Sequence, residues 1–179
     1  MNDTGDHGDH QEANELEMVE FCIDSYRFGV RKDHVVDADG WHPNYLRPAR
    51  CTNKGVLGTM LYRGESIYVI DLRQMLFVDQ ENEPAEASFY TVIKYEGMLL
   101  TILHDGLLGL CHAPSQHYRS CQSLYVLGRK CLKGIYVLDD HLLFKLSLMA
   151  LSEMLRLEGD AFQQEASSYF ATELLSEES

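Results

Sequence analysis

The sequence predicts a mainly β fold with little helix, a barrel or a sandwich built from many short strands. Three observations lead there. Short runs alternate apolar and polar residues from Met18 onward, turn-forming pairs punctuate those runs at close intervals, and helical periodicity is confined to the segment past Leu148.

In chain order, residues 1–16 are polar and rich in Asp, His, Gly and Glu. They hold too little apolar surface to offset the entropy of ordering, so a disordered acidic tail is expected there. Val19, Phe21 and Ile23 then alternate with Glu20, Cys22 and Asp24, which reads as one buried and one polar face. After a turn at Ser25-Tyr26, extended structure resumes over residues 27–30. Residues 55–71 continue in the same way. Arg63-Gly64-Glu65-Ser66 forms a hairpin turn in this reading, and residues 67–70 a buried strand. Asp71 caps one or two helical turns that start at Leu72. Residues 79–88 are an acidic, Pro-containing connector. Strands are expected at Phe89–Tyr95, at Met98–His104 after the Glu96-Gly97 turn, and at residues 106–111. Residues 113–120 read as loop, and 124–127, 134–138 and Leu142–Leu146 complete the strands.

The end of the chain changes character. Met149, Leu151, Met154 and Leu155 recur at helical spacing until Gly159, and Asp160 with Gln163 has the form of a capping box. Beyond it, Phe162, Ala166, Tyr169, Phe170 and Leu174 make one apolar stripe, which either packs on the domain's own core or meets a partner. The expected organisation is a tail over 1–16, one domain over 17–151 and an acidic amphipathic helical extension over 152–179. No internal sequence repeat is evident.

Charge is distributed unevenly. The net charge is −13, yet residues 1–20 hold seven acids and no Lys or Arg, and residues 152–179 hold seven acids and one base. Residues 21–151 balance at 14 acids and 14 bases, so the folded part is nearly neutral. Such a chain repels nucleic acid and anionic lipid. The five cysteines, Cys22, Cys51, Cys111, Cys121 and Cys131, are odd in number and contain no CxxC pair, which argues for reduced thiols. With no signal-peptide pattern and no apolar run near the roughly 20 residues of a membrane span, a cytoplasmic protein without membrane insertion is expected.

Several motifs recur together. Gly29-Val30, Val35-Val36-Asp37 and Gly40-Trp41 form the first; Gly58, Tyr62-Arg63-Gly64 and Val69-Ile70-Asp71-Leu72-Arg73 the second. Leu132-Lys133-Gly134-Ile135, Leu138-Asp139-Asp140 and Leu142 through Leu148 form the third, and Leu103-His104-Asp105-Gly106 a fourth. In this order and spacing the chain resembles the CheW family. The resemblance implies two packed SH3-like five-stranded β-barrels with a short C-terminal helical extension. It also implies a non-enzymatic adaptor without cofactor or metal. Its partners would be a CheA-type histidine kinase and the cytoplasmic tip of chemoreceptors. Carried onto this chain, the partner surface comprises Val35, Asp37, Ala38, Arg63 and Gly64, with Asp37 paired to Arg63. Gly58, Asp71, Leu72 and Gly134 take structural roles, Gly134 by permitting a close backbone approach. The chain departs from the family pattern at Lys32, Ala38, Leu61, Tyr68, Gly109 and Ser147. Lys32 and Ala38 make a poorer groove for a standard receptor tip, so a divergent array or a binding module outside chemosensing is the second reading.

An enzyme reading would draw on His104-Asp105 and Cys111-His112. Adjacent residues on a strand point to opposite faces, so neither pair is a dyad by adjacency. No phosphate loop, HExxH or GxSxG motif occurs. Metal sets drawn from His7 and His10, or from His112, His117 and Cys121, match no standard module and read as solvated polar residues.

Overall fold

The structure is a computed structural model that describes residues 15–76, 87–120 and 131–159. Three of its hairpins turn on left-handed backbone. β1 (Glu15–Ile23) passes through Asp24-Ser25 into β2 (Tyr26–Arg31), with Asp24 at φ 52°. β3 (Val35–Gly40) and the two-residue β4 (Arg47–Pro48) follow. β5 (Val56–Tyr62) and β6 (Glu65–Asp71) are joined by Arg63 at φ 48° and Gly64 at φ 87°. That is the two-residue primed turn that matches strand twist. α1 (Leu72–Leu76) comes next. β7 (Phe89–Tyr95) and β8 (Met98–His104) are joined in the same way by Glu96 at φ 48° and Gly97 at φ 83°. β9 (Gly106–Pro114), β10 (Tyr118–Ser120), β11 (Leu132–Val137), β12 (Leu142–Leu146) and a helix α2 over residues 148–159 complete the described chain.

The first sheet has the order β10-β11-β12-β2-β1-β9 and the second β3-β7-β8-β6-β5-β4. Each has six strands where five were expected; the sixth is the short β4 or β10. Residues 113–120, expected as loop, are the end of β9, a 3-10 turn at Ser115–His117 and β10. The reason is pairing: Leu16 and Glu15 lie opposite Ala113 and Pro114 and prolong β9. The same pairing makes Glu15 and Leu16 strand rather than tail. The first turn falls at Asp24-Ser25, one residue before the expected place. The expected strand at 124–127 and the stripe from Phe162 to Leu174 lie outside the described residues. α2 runs continuously across residue 151, where the domain was expected to end.

Three cores explain the pattern. Val19, Phe21, Ile23, Phe28 and Val30 of the first sheet meet Ile70, Ile93, Leu100 and Ile102 of the second, with Leu151 and Leu155 of α2 closing the layer. The opposite face of the second sheet buries Met60, Ile67, Val69, Tyr90 and Val92. That of the first buries Met18, Ala113, Tyr136 and Leu143. Central strands are therefore covered on both faces, which makes their sequences near-continuous apolar runs. Glu20, expected on a polar face, is only 6% exposed. Arg27 donates to its carboxylate at 3.0 Å, and His141 Nε2 lies 3.2 Å from the same oxygen.

The ladders expose a repeat that the residues hide. β1–β2 and β7–β8 are equivalent hairpins, and β12 lies parallel to β2 as β6 lies parallel to β8. Gly58 opposes Val69 and Gly134 opposes Lys145, each beside a register shift. The Asp71 amide donates to Gly55 O at 2.8 Å, and the Ser147 amide donates to Cys131 O at 2.7 Å. Each of these residues then caps a helix. Asp71 Oδ1 accepts from Arg73 N at 2.9 Å, and Ser147 Oγ accepts from Ala150 N at 3.4 Å. Leu72 is fully buried behind the first cap. The two glycines leave room for different neighbours. A Cβ on Gly58, at φ 151°, would stand 2.3 Å from Arg47 O; on Gly134 it would stand 2.3 Å from the Tyr118 ring. The close approach expected at Gly134 is thus made by a side chain, and the backbone approach belongs to Gly58.

Two polar clamps lock the parts together. The Arg73 guanidinium, 12% exposed, donates to Asp105 Oδ1 at 2.6 Å and lies 3.5 Å from Asp24. Asp105 Oδ2 accepts the Asp24 amide at 2.6 Å. The first helix of the second sheet is thereby tied to the β1–β2 turn and the β8–β9 junction. On the other side, Glu158 of α2 accepts from the Thr52 amide, the Thr52 hydroxyl and the Asn53 amide at 2.6–2.7 Å. Burial alone would raise the Glu158 pKa; these three donors outweigh it and hold it below the ordinary carboxylate value.

Gly58→Ala should destabilise the fold by about 2–3 kcal/mol, read as a lower urea midpoint at unchanged slope, because Arg47 backbone cannot yield. Arg73→Ala should cost roughly 2 kcal/mol in the same assay, by removing the partly buried charged hydrogen bond to Asp105.

Candidate functional site

The sharpest polar constellation on the surface forms where β3 meets the β5–β6 turn. β3 is an edge strand bonded only to β7 among the described residues, with its register shifted between Val35 and Asp37. The shift is a bulge that turns Val36 outward and aims Asp37 along the edge. Asp37 Oδ2 accepts the Tyr62 hydroxyl at 2.9 Å and lies 3.6 Å from Arg63 Nη2. The Arg63 guanidinium carbon sits 5.0 Å from the Tyr62 ring centroid. Burial first, then the Asp37 carboxylate, push the Tyr62 phenol above its ordinary pKa and keep it a donor. Arg63 reaches both Asp37 and the Tyr62 ring yet stays largely exposed, and a guanidinium is the side chain best shaped to hold a carboxylate by two hydrogen bonds.

Of the residues singled out from sequence, Asp37, Arg63 and Gly64 meet at this corner. Gly64 serves conformation alone: a Cβ there would touch nothing, and only its positive φ matters. Ala38 stands half-buried beside Asp37. Val35 turns inward against the shared core, and its neighbour Val36 is the one that faces outward. Tyr62, which anchors the pair, was not singled out; its place before Arg63-Gly64 was the available signal.

The equivalent edge on the first sheet is apolar. β9 is bonded only to β1 among the described residues, and its bulge leaves Leu108 unpaired between Leu107 and Gly109. Leu107, Leu108 and Leu110 are 45%, 49% and 60% exposed. Asp37 has Gly109 as its counterpart, opposite Glu20 as Asp37 is opposite Val92. The strand expected over residues 106–111 is present, but its leucines do not alternate with polar residues, so the sequence carries no sign that this edge is exposed.

The nucleophile and acid–base candidates lie elsewhere and apart. His104 is fully buried, its ring 5.0 Å from Phe21 and 6.0 Å from Phe89, with Nε2 2.9 Å from Thr91 Oγ1. Burial pushes its pKa down to about 4, so it is a neutral core histidine at pH 7. Asp105 turns the other way, to Arg73 and Asp24. Burial, then Glu20, raise the Cys111 thiol to about 11, which keeps it protonated. Among the described residues no three His, Cys, Asp or Glu side chains are grouped to hold a metal. Cys121 lies outside them. No described helix is long and apolar enough to cross a membrane.

The comparisons with known proteins agree with one another. A family model described as CheW-like domain matches residues 17–156. Among solved structures, the scaffolding protein TtCheW from Thermoanaerobacter tengcongensis superposes with a TM-score of 0.62 at 16% identity, covering 74% of this chain and 89% of that one. At that identity the likeness speaks for the fold. No curated protein matches the chain.

The His104 shift makes a pH prediction. Between pH 6.5 and about 4 the unfolded chain takes up a proton at His104 and the folded chain does not. Stability is therefore full above 6.5 and falls as pH drops through that window, by roughly 3 kcal/mol at its lower end. In urea titrations across pH 4–7, His104→Gln should remove that part of the slope.

Proposed function

The chain belongs to the CheW-like domain family, and from that premise we propose that it is a non-enzymatic adaptor of a chemosensory array. It couples a chemoreceptor tip to a CheA-type histidine kinase through protein contacts alone, in the cytoplasm. The observation that carries this reading is the Asp37–Tyr62–Arg63 constellation at the β5–β6 turn. It presents one exposed guanidinium and one carboxylate side by side, which suits recognition and offers no reacting group. The exposed leucines of β9 supply apolar area of the kind that anchors an interface. An adaptor needs only such surfaces: it transmits a bias between two partners by binding each differently in their two states.

One observation favours the second reading, a binding module outside chemosensing. Lys32, which stands where the family pattern is apolar, is ion-paired with Glu17 at 3.1 Å on the surface. A receptor helix meets a charged pair there.

Biolayer interferometry against the CheW-like regulatory domain of a CheA-type kinase and against a receptor-tip peptide separates the two. Saturable binding of the chain to either supports the adaptor. Arg63→Ala should weaken the contact that uses this corner about five- to tenfold while leaving the urea midpoint within about 0.5 kcal/mol of the parent. Binding to neither partner moves the assignment to the second reading, and unchanged affinity of the variant for both removes the corner from the interface.

A further inference from the structure

A cavity of about 470 Å³ opens between the ends of β1 and β2 and the strands β11 and β12. Its lining includes three cations, Arg31, Lys133 and Lys145, together with the buried Val30 and Leu148 and the half-buried Leu16. In a chain of net charge −13 that concentration of positive charge calls for a counterpart. Arg31 has one in Asp33. Lys145 has no carboxylate partner among the described residues: its Nζ lies 3.4 Å from Tyr136 Oη and 5.5 and 5.6 Å from the centroids of the Tyr118 and Tyr136 rings. Lys133 likewise has none among them. Burial, then Lys133 and Arg31, depress the Lys145 pKa, the sign of a cation held against its neighbours. The acids nearest in sequence, Glu17 and Asp33, are engaged with Lys32 and Arg31.

We propose that this cavity is a docking site for a carboxylate-rich peptide and that its occupant is the chain's own segment 1–14. That segment carries Asp3, Asp6, Asp9 and Glu12 and no Lys or Arg. It joins the fold at Glu15, beside the Leu16 that lines the cavity. At no more than about 3.6 Å per residue, Glu12 reaches roughly 10 Å from Glu15 and Asp9 roughly 20 Å, so both span the cavity. So short a tether gives an effective concentration in the millimolar range, enough for individually weak charge contacts to be occupied. An acidic stretch on a partner would have to displace the tail, which makes the segment a competitor for this surface.

The test uses the full chain. Proton–nitrogen NMR spectra of the parent are compared with those of a variant carrying Asp3→Asn, Asp6→Asn, Asp9→Asn and Glu12→Gln. The expected result is a set of amide shifts centred on Arg31, Lys133 and Lys145, present at 50 mM NaCl, lost at 500 mM and independent of protein concentration. A synthetic peptide of residues 1–14 added to the neutralised variant should restore them, about fivefold more weakly when Lys133→Gln is also present. Coincident spectra of parent and neutralised variant would overturn the proposal. So would shifts that vanish on dilution, which assign the tail to a second copy, or inorganic phosphate filling the site while the peptide fails to compete, which leaves a small-anion site.

Discussion

Arg73 holds the molecule's two halves in register. Its guanidinium is the point at which the helix closing one sheet, the turn opening the other and the junction between them converge on Asp24 and Asp105. An apolar layer between two sheets has no directional preference beyond the interlock of its side chains, which tolerates small shifts. A nearly buried guanidinium with two carboxylates does not, because any displacement leaves a charge without its partner. Asp71 serves the same end by fixing the helix from which Arg73 projects. The Asp-Leu-Arg sequence is thus one device: cap, core anchor and clamp in consecutive positions.

Around that clamp the chain builds one pattern twice and decorates it differently. Corresponding hairpin tips carry Arg63-Gly64 in one unit and Asp139-Asp140 in the other. Corresponding edge bulges carry Asp37 and Gly109. One unit therefore offers a paired cation and anion beside an aromatic set of Trp41, Tyr45 and Tyr90. Its counterpart offers acidic residues at the tip and leucines along the edge. Two dissimilar surfaces on a common frame are what a protein needs if it is to hold two dissimilar partners.

The residues declare the fold well where local chemistry decides it. The Arg63-Gly64 and Glu96-Gly97 turns, the cap at Asp71 and most strands are legible because each depends on a few neighbouring side chains. β10 and the far end of β9 are not, since Tyr118 and Ala113 are extended only by partners distant in sequence. Glu20 was misplaced for a related reason: alternation assumes a wet face, and this sheet has none at that point. The repeat escaped notice because register, not identity, carries it; Gly58 and Gly134 are among the few positions where the two copies agree in residue. Asp37 and Arg63 could be named because a motif pairs them, whereas the leucines of β9 are apolar in any strand, and only the edge position exposes them.

The interleaving of the chain sets an order of events. The second sheet is drawn from the continuous stretch between Val35 and His104, but the first takes β1 and β2 from before it and β9 to β12 from after it. During synthesis at about 5–20 residues per second, the opening hairpin waits on the order of 4–15 seconds before β9 begins and about 6–22 seconds before β12 begins. Meanwhile Phe21, Ile23 and Phe28 have only the maturing second sheet to cover them. That sheet is complete in the chain before the first can close, and the pairing of β1 with β9 spans the long, entropically costly separation between Arg31 and Gly106.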